Sequence, residues 1–293
     1  MSGGPTRRTP RRRRLLRAER GGVRLQARDS GPARAGAVVL LHGFPQDSTC
    51  WDAVIPFLHT AGLRTITVDQ RGYGRSGSPP GVTPYRIEEL AADVLAVADT
   101  AGIAQVHLVG HDWGGVVAWH VAAQHADRVS TLTVLSTPHP AAYAWSLTRS
   151  RQPLLSWYTA AFQLPLLPEV VLAPALEPVL RATGLPAATA HRYATRLARP
   201  TDLGPPLAWY RAAARRLPWS GLGSTPPVLV PTTYVWGRHD PALGRAAAER
   251  TRDHVRGPYR FVVVDEGHWL PELRPAVVAD AVIDRVTSPR PEG

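Results

Sequence analysis

The 293-residue chain is 44% hydrophobic, long enough to bury the core of one large domain or of a domain carrying an insertion. Its single cysteine, Cys50, excludes an intramolecular disulfide and points to a reducing, cytoplasmic setting. No stretch is apolar for long enough to cross a membrane: the longest candidate, residues 152–168, is interrupted by Gln163 and Pro165.

Much of the net charge of +11 lies in residues 1–20, where eight arginines face one acid, Glu19. This segment reads as a disordered Arg-rich tail, with Pro and Gly and almost no apolar content. The remaining chain is only mildly basic, so no nucleic-acid partner is expected. From Gly21 onward, short apolar runs at 23–27, 37–41, 65–68, 106–109, 132–135, 233–236 and 261–264 predict strands. Stretches 51–61, 87–101, 115–125, 242–255 and 275–286 predict helices, the last with apolar residues spaced for one buried face. That alternation is the signature of an α/β protein with a mostly parallel sheet covered on both faces. Between 136 and 225 the rhythm changes to many prolines and helical patches at 153–163 and 188–197, with no buried strand. The predicted organisation is therefore a core of residues 21–135 and 226–293, with a helical cap of residues 136–225 over the carboxyl ends of the strands.

Gly110-His111-Asp112-Trp113-Gly114-Gly115 joins the 106–109 strand to a small-residue helix. A strand, a glycine-framed turn and a helix start make a nucleophile elbow, which presents its central residue at the end of the sheet. That residue is commonly serine; here it is Asp112. A carboxylate titrating at about 3.9 is ionised at neutral pH and needs no base to become a nucleophile. Its targets are saturated carbons bearing a leaving group, which it converts to an alkyl ester of the enzyme. On its own, G-x-D-x-G also fits a helix-capping aspartate.

Other segments line up with the elbow. His42-Gly43-Phe44-Pro45 ends a strand in a glycine turn, where a backbone N–H can join that of Trp113 in an oxyanion hole. Asp240 follows the 233–236 strand, and His268 follows the last strand. Nucleophile, acid and histidine thus occur in the chain order of α/β-hydrolases. An imidazole with a pKa of about 6.5, oriented by Asp240, suits deprotonation of the water that hydrolyses the ester. His239, beside Asp240, is the competing base. His42 and His111 sit in turns and are expected to bond the backbone.

His42-Gly43-Phe44-Pro45, Asp69-Gln70-Arg71-Gly72-Tyr73-Gly74-Arg75-Ser76, the elbow and Gly267-His268 together resemble the epoxide hydrolases of the α/β-hydrolase superfamily, from about residue 23 to residue 286. The resemblance implies the α/β-hydrolase fold with an inserted helical cap, and a cis peptide bond at Phe44–Pro45. It assigns the oxyanion donors to Phe44 and Trp113. It also implies two cap tyrosines that donate to the epoxide oxygen. Ser156-Trp157-Tyr158 matches the first tyrosine motif and Ala208-Trp209-Tyr210-Arg211 the second, with Tyr143 and Tyr193 as alternatives. Trp113, Trp157 and Trp209 are expected to contact substrate.

The implied activity converts an apolar epoxide and water to a vicinal diol, with no cofactor and no metal; homo-oligomerisation is left open. Haloalkane dehalogenases share the aspartate elbow and are the alternative. Many of them place an asparagine after the His-Gly turn, where this chain has Phe44 and contains no asparagine at all. A departing halide also needs no proton, which would leave two tyrosines without a task.

Overall fold

The computed structural model describes residues 14–32, 34–215 and 226–288. Its centre is β3 (Ala37–Leu41), five aliphatic residues all buried, as expected of a parallel strand covered on both faces. Successive side chains point to opposite faces: Val39 and Leu41 enter one apolar cluster, Val38 and Leu40 the other. The first cluster takes in α2 (Ile87–Thr100) and α3 (Trp113–Gln124); the second takes in α1 (Ile55–Thr60) and the helix Pro275–Thr287.

Around β3 lie β1 (Arg14–Arg20), β2 (Val23–Ser30), β4 (Arg64–Asp69), β5 (Val106–His111), β6 (Val129–Leu135), β7 (Thr232–Gly237) and β8 (Tyr259–Val264). They form one sheet in the order β1-β2-β4-β3-β5-β6-β7-β8. Pairings from β4 to β8 are parallel, and β1 and β2 are antiparallel. The α/β-hydrolase fold expected from the sequence is the fold observed. Every predicted strand is present within a few residues.

Between β6 and β7 the described residues form six helices: α4 (Pro140–Arg149), α5 (Gln152–Leu155), α6 (Trp157–Ala161), α7 (Leu167–Ala182), α8 (Ala187–Arg196) and α9 (Pro200–Ala214). Leu176, Leu180, Tyr193 and Leu203 from these helices join the second apolar cluster. The patch predicted at 153–163 is two short helices, because α5 ends at Ser156 and α6 begins afresh. The predicted helix 242–255 is likewise a helix, Arg245–Arg250, followed by a 3-10 turn, Thr251–His254.

One expectation is corrected. Residues 14–20 of the anticipated disordered tail form β1, paired with β2 from Arg14↔Asp29 to Arg20↔Val23. Residues 1–13 lie outside the described residues. The reason is an alternation hidden among arginines: Leu16 and Ala18 are buried, while Arg14, Leu15, Arg17 and Glu19 are exposed. Gly21 and Gly22 take φ of 54° and 73°, the two positive-φ positions of a tight hairpin turn. Arg20 is anchored to Glu89 at 2.7 Å. Leu16→Ala should therefore lower stability by about 2 kcal/mol in a denaturant melt. Leu15→Ala, on the exposed face, should stay within about 0.5 kcal/mol. Equal effects of the two would deny β1 its inward face.

Candidate active site

Loops at the carboxyl ends of β3, β5, β7 and β8 converge on Asp112, at the place where open α/β sheets bind ligands. Asp112 links β5 directly to α3 with φ 48° and ψ −121°, a strained backbone for a non-glycine residue. That geometry presents the carboxylate at the carboxyl end of β5, an interior strand of the sheet. It also demands that small residues surround it. A Cβ on Gly114 would overlap the Leu41 carbonyl, and one on Gly43 would overlap the Asp112 side chain.

Phe44 N–H donates to Asp112 Oδ2 at 2.8 Å, and the Trp113 N–H also bonds the carboxylate. The two donors expected for the oxyanion hole therefore meet on one carboxylate. Phe44–Pro45 is a cis peptide bond, as the resemblance implied. His268 Nδ1 lies 2.7 Å from Asp240 Oδ2, and its Nε2 lies 3.8 Å from Asp112 Oδ1. Nε2 thus faces the Asp112 carboxylate without being hydrogen-bonded to it. Asp240 is fully buried, and its second oxygen accepts from Ala242 N–H at 2.8 Å and Leu243 N–H at 3.0 Å. The carboxylate is held from both ends, so it fixes the ring that it bonds.

Burial, the largest influence on both groups, raises the pKa of Asp112 and opposes protonation of His268. On Asp112 it is countered by the imidazole and the two N–H groups. On His268 it is outweighed by the Asp240 charge and hydrogen bond, then by Asp112 and Glu272, so the histidine is pushed up to about 9. The competing base, His239, is exposed and bonds Asp265 at 2.8 Å. His42 bonds backbone groups, as expected, facing Gly43 O at 2.9 Å and accepting from Gln70 N–H at 3.1 Å.

Tyr158 on α6 and Tyr210 on α9 face each other with ring centroids 6.4 Å apart. Tyr210 also packs on Trp113 at 4.8 Å and on Phe44 at 5.7 Å, and takes a hydrogen bond from the Trp113 side chain. Burial, and then the Asp112 charge, hold both phenols well above their ordinary pKa, so both remain donors. The alternative tyrosines are engaged elsewhere: Tyr143 with Ser156, and Tyr193 with Glu272 at 2.8 Å.

Of the three tryptophans expected at the substrate site, only Trp113 adjoins Asp112 directly. Trp209 is buried behind it, with ring centroids 5.8 Å apart and its indole N–H on the Arg71 carbonyl at 3.1 Å. Trp157 is 68% exposed, a correction with a simple cause. Consecutive helical residues differ by about 100° around the axis. On the short α6 the turn that brings Tyr158 inward leaves Trp157 on the outer side, whereas on α9 other elements cover both Trp209 and Tyr210. Phe162, which continues the first tyrosine motif, is packed between Tyr158 and Tyr210, and one pair of neighbours escaped sequence reasoning: Gln46 and Glu272, beneath the elbow. Among the described residues no group of three or more His, Cys, Asp or Glu side chains could hold a metal ion.

The alpha/beta hydrolase fold family matches residues 36–275. Epoxide hydrolase 3 of Xenopus tropicalis is 32% identical over 284 residues, spanning 92% of this chain and 76% of that protein. Epoxide hydrolase A of Mycobacterium tuberculosis is 31% identical over 309 residues, spanning 91% of this chain and 95% of that protein. The crystal structure of epoxide hydrolase A from Mycobacterium thermoresistibile superposes with a TM-score of 0.79 at 28% identity, covering 94% and 98% of the two chains. An aspartate elbow, a following acid and a final histidine on this sheet, with relatives of this kind, mean that the chain belongs to the alpha/beta hydrolase fold family and, within it, to the epoxide hydrolases.

Proposed function

We propose that the protein converts an apolar epoxide and water to a vicinal diol through an ester on Asp112. The observation that carries this reading is the placement of the Asp112 carboxylate between the Phe44 N–H at 2.8 Å and His268 Nε2 at 3.8 Å. Oδ2 is already engaged by the Phe44 N–H, so Oδ1, on the His268 side, is the attacking oxygen. Oδ1 bonds an oxirane carbon while the ring C–O bond breaks; Tyr158 and Tyr210 meet the departing oxygen with their hydroxyls, and one of them gives it a proton that the phenol regains from solvent. The product of this half is a hydroxyalkyl ester whose carbonyl oxygen, Oδ2, still sits against Phe44 and Trp113.

The second half needs a base. His268 at about 9 is cationic beside two carboxylates at neutral pH. Esterification abolishes the Asp112 charge and with it one of the influences that raise the imidazole, which favours the neutral form just when a base is required. His268 then takes a proton from water as the water oxygen bonds Asp112 Cγ. The negative charge gathers on Oδ2 and is met by the two N–H donors. Collapse expels the diol oxygen, which takes the proton from His268, and the Asp112 carboxyl, now carrying the oxygen and remaining proton of the water, ionises to restore the carboxylate.

The reading extends to α4–α9 as a cap that carries both tyrosines over the elbow, and to a cytoplasmic setting for a chain whose lone thiol, Cys50, is buried. The insertion's Leu, Val, Trp and Pro content supports an apolar substrate.

His268→Gln should form the ester but release it at least about a hundredfold more slowly, leaving protein heavier by one epoxide in intact mass spectra. An unmodified mass after epoxide treatment counts against the mechanism. Asp112→Asn, which mimics the neutral ester, should lower the His268 pKa by about one pH unit in a histidine NMR titration. An unchanged titration would uncouple the two groups. Phe at either Tyr158 or Tyr210 should slow ring opening by roughly tenfold to a hundredfold, and Phe at both should nearly abolish it. Persistent ring opening in the double variant would remove the phenols from the reaction.

A further inference from the structure

The mechanism leaves one buried carboxyl group near the triad without a task. Glu272 lies on the short helix Leu270–Leu273, four residues after His268. Its Oε1 accepts from Gln46 Nε2 at 2.7 Å and from the Tyr193 hydroxyl at 2.8 Å. Burial pushes its pKa up to about 7, against the pull of those two donors. Three separate parts of the chain meet on this one oxygen: the loop after β3, the segment that follows His268, and α8 of the insertion.

The Gln46 amide passes the constraint on. Its Oε1 accepts from Gly43 N–H at 2.9 Å and lies 2.8 Å from His111 Nδ1. Gly43 offers a donor and Glu272 an acceptor, so the amide fits in one orientation only, oxygen to Gly43 and nitrogen to the carboxyl. Gly43 directly precedes Phe44, whose N–H holds Asp112 Oδ2. On the other side, His111 Nε2 lies 2.9 Å from the carbonyl oxygen of His268. Burial holds His111 well below its ordinary pKa, and both its neighbours are acceptors, so the neutral ring donates to one of them at a time. Gly43 N–H satisfies one of those oxygens in any case, and the Ser136 hydroxyl, at 2.8 Å, satisfies the other.

We propose that Glu272 is a positioning residue for ester hydrolysis: by bonding the Gln46 amide it ties the oxyanion loop to the segment that carries His268, and through Tyr193 it ties both to the helical insertion. The inference rests on the aspartyl-ester reading given above. It predicts an asymmetry between the two halves of the reaction. Ring opening uses Asp112, whose backbone is set by the elbow, and the two tyrosines; Gln46 reaches the carboxylate only through the Phe44 N–H, on the oxygen that does not attack, and through His111 beside it. Ester hydrolysis uses the Phe44 N–H and the His268 ring, and the Gln46–Glu272 bond joins the two segments that carry them. Loss of Glu272 should therefore slow the second half selectively.

The test follows adduct formation and decay in the full chain with 1,2-epoxyhexane, by rapid quench and intact mass spectrometry. In Glu272→Leu, hydrolysis should slow about tenfold or more while ring opening stays within about threefold. In the steady state kcat and KM then fall together, kcat/KM holds, and the ester becomes the dominant species. Glu272→Gln keeps an acceptor oxygen for both donors and should restore hydrolysis to within about threefold of the unmodified protein. Should Glu272→Leu fail to fold, Gln46→Met severs the same link one step nearer the site and must give the same split. Equal slowing of both halves, slowing of ring opening alone, no change in either, or hydrolysis as slow in Glu272→Gln as in Glu272→Leu overturns the proposal. His268→Gln in the same experiment separates the two levels of argument. Without an adduct there, the ester reading itself fails; with one there, a negative result belongs to Glu272 alone.

Discussion

The close approach of the β5–α3 elbow to the loop after β3 is the constraint on which the rest of the site depends. Gly114 lets α3 begin against the Leu41 carbonyl, and Gly43 lets the oxyanion loop lie against the Asp112 side chain. A side chain at either position would separate the two loops, and the Phe44 N–H would lose its 2.8 Å bond to the carboxylate. The approach carries a cost, since a residue at φ 48° and ψ −121° stores about 1–3 kcal/mol of backbone strain. The Phe44 and Trp113 donors offset part of it by satisfying a buried anion. The strain therefore sits at the atom whose position matters, and the parallel sheet beneath, buried throughout β3, is stiff enough to hold it.

Charge in the site is balanced by a single imidazole between two carboxylates. Asp240 is held by two backbone N–H groups and by His268, so its position is fixed. In the proposed reaction Asp112 is the variable partner, because esterification would remove its charge. The same imidazole would then stabilise an ionised nucleophile in one half of that cycle and act as a base in the other, with no change of position. A serine at the elbow would need the histidine as a base from the outset. With aspartate, that scheme defers the basicity of His268 until the ester exists.

Much of this was legible in the sequence because it lies in short segments at strand ends. The elbow, the His-Gly-Phe-Pro turn, Asp240 and His268 each follow a run of apolar residues that marks a strand, and their order along the chain supplies their roles. β1 was hidden by composition: arginines dominate residues 14–20, and only Leu16, Ala18 and the Gly21-Gly22 turn betray the alternation. Trp157 is exposed although its neighbour Tyr158 is not, because which side of a short helix is covered depends on the elements packed against it and not on the motif. Gln46 and Glu272 are 226 positions apart, and their contact is created wholly by tertiary folding. The signal that remained was a carboxylate placed four residues after the histidine.

The two halves of the proposed reaction are assigned to opposite walls, and the walls are built differently. The donors for ring opening come from the helical insertion, where Arg211, next to Tyr210, binds the Phe162 carbonyl at 3.0 Å and the Leu164 carbonyl at 2.8 Å and pairs with Glu169 at 2.6 Å. Those contacts staple the end of α6 to α9, which holds Tyr158 and Tyr210 at their 6.4 Å ring separation. The groups for ester hydrolysis come from the sheet, where Phe44, Trp113 and His268 follow β3, β5 and β8. Small displacements of the insertion would thus alter which epoxide fits and how its oxygen is met, while leaving the hydrolytic groups in register. Tyr193, bonded to Glu272, is one place where the two walls touch, so a shift of α8 is one route by which the insertion would influence hydrolysis.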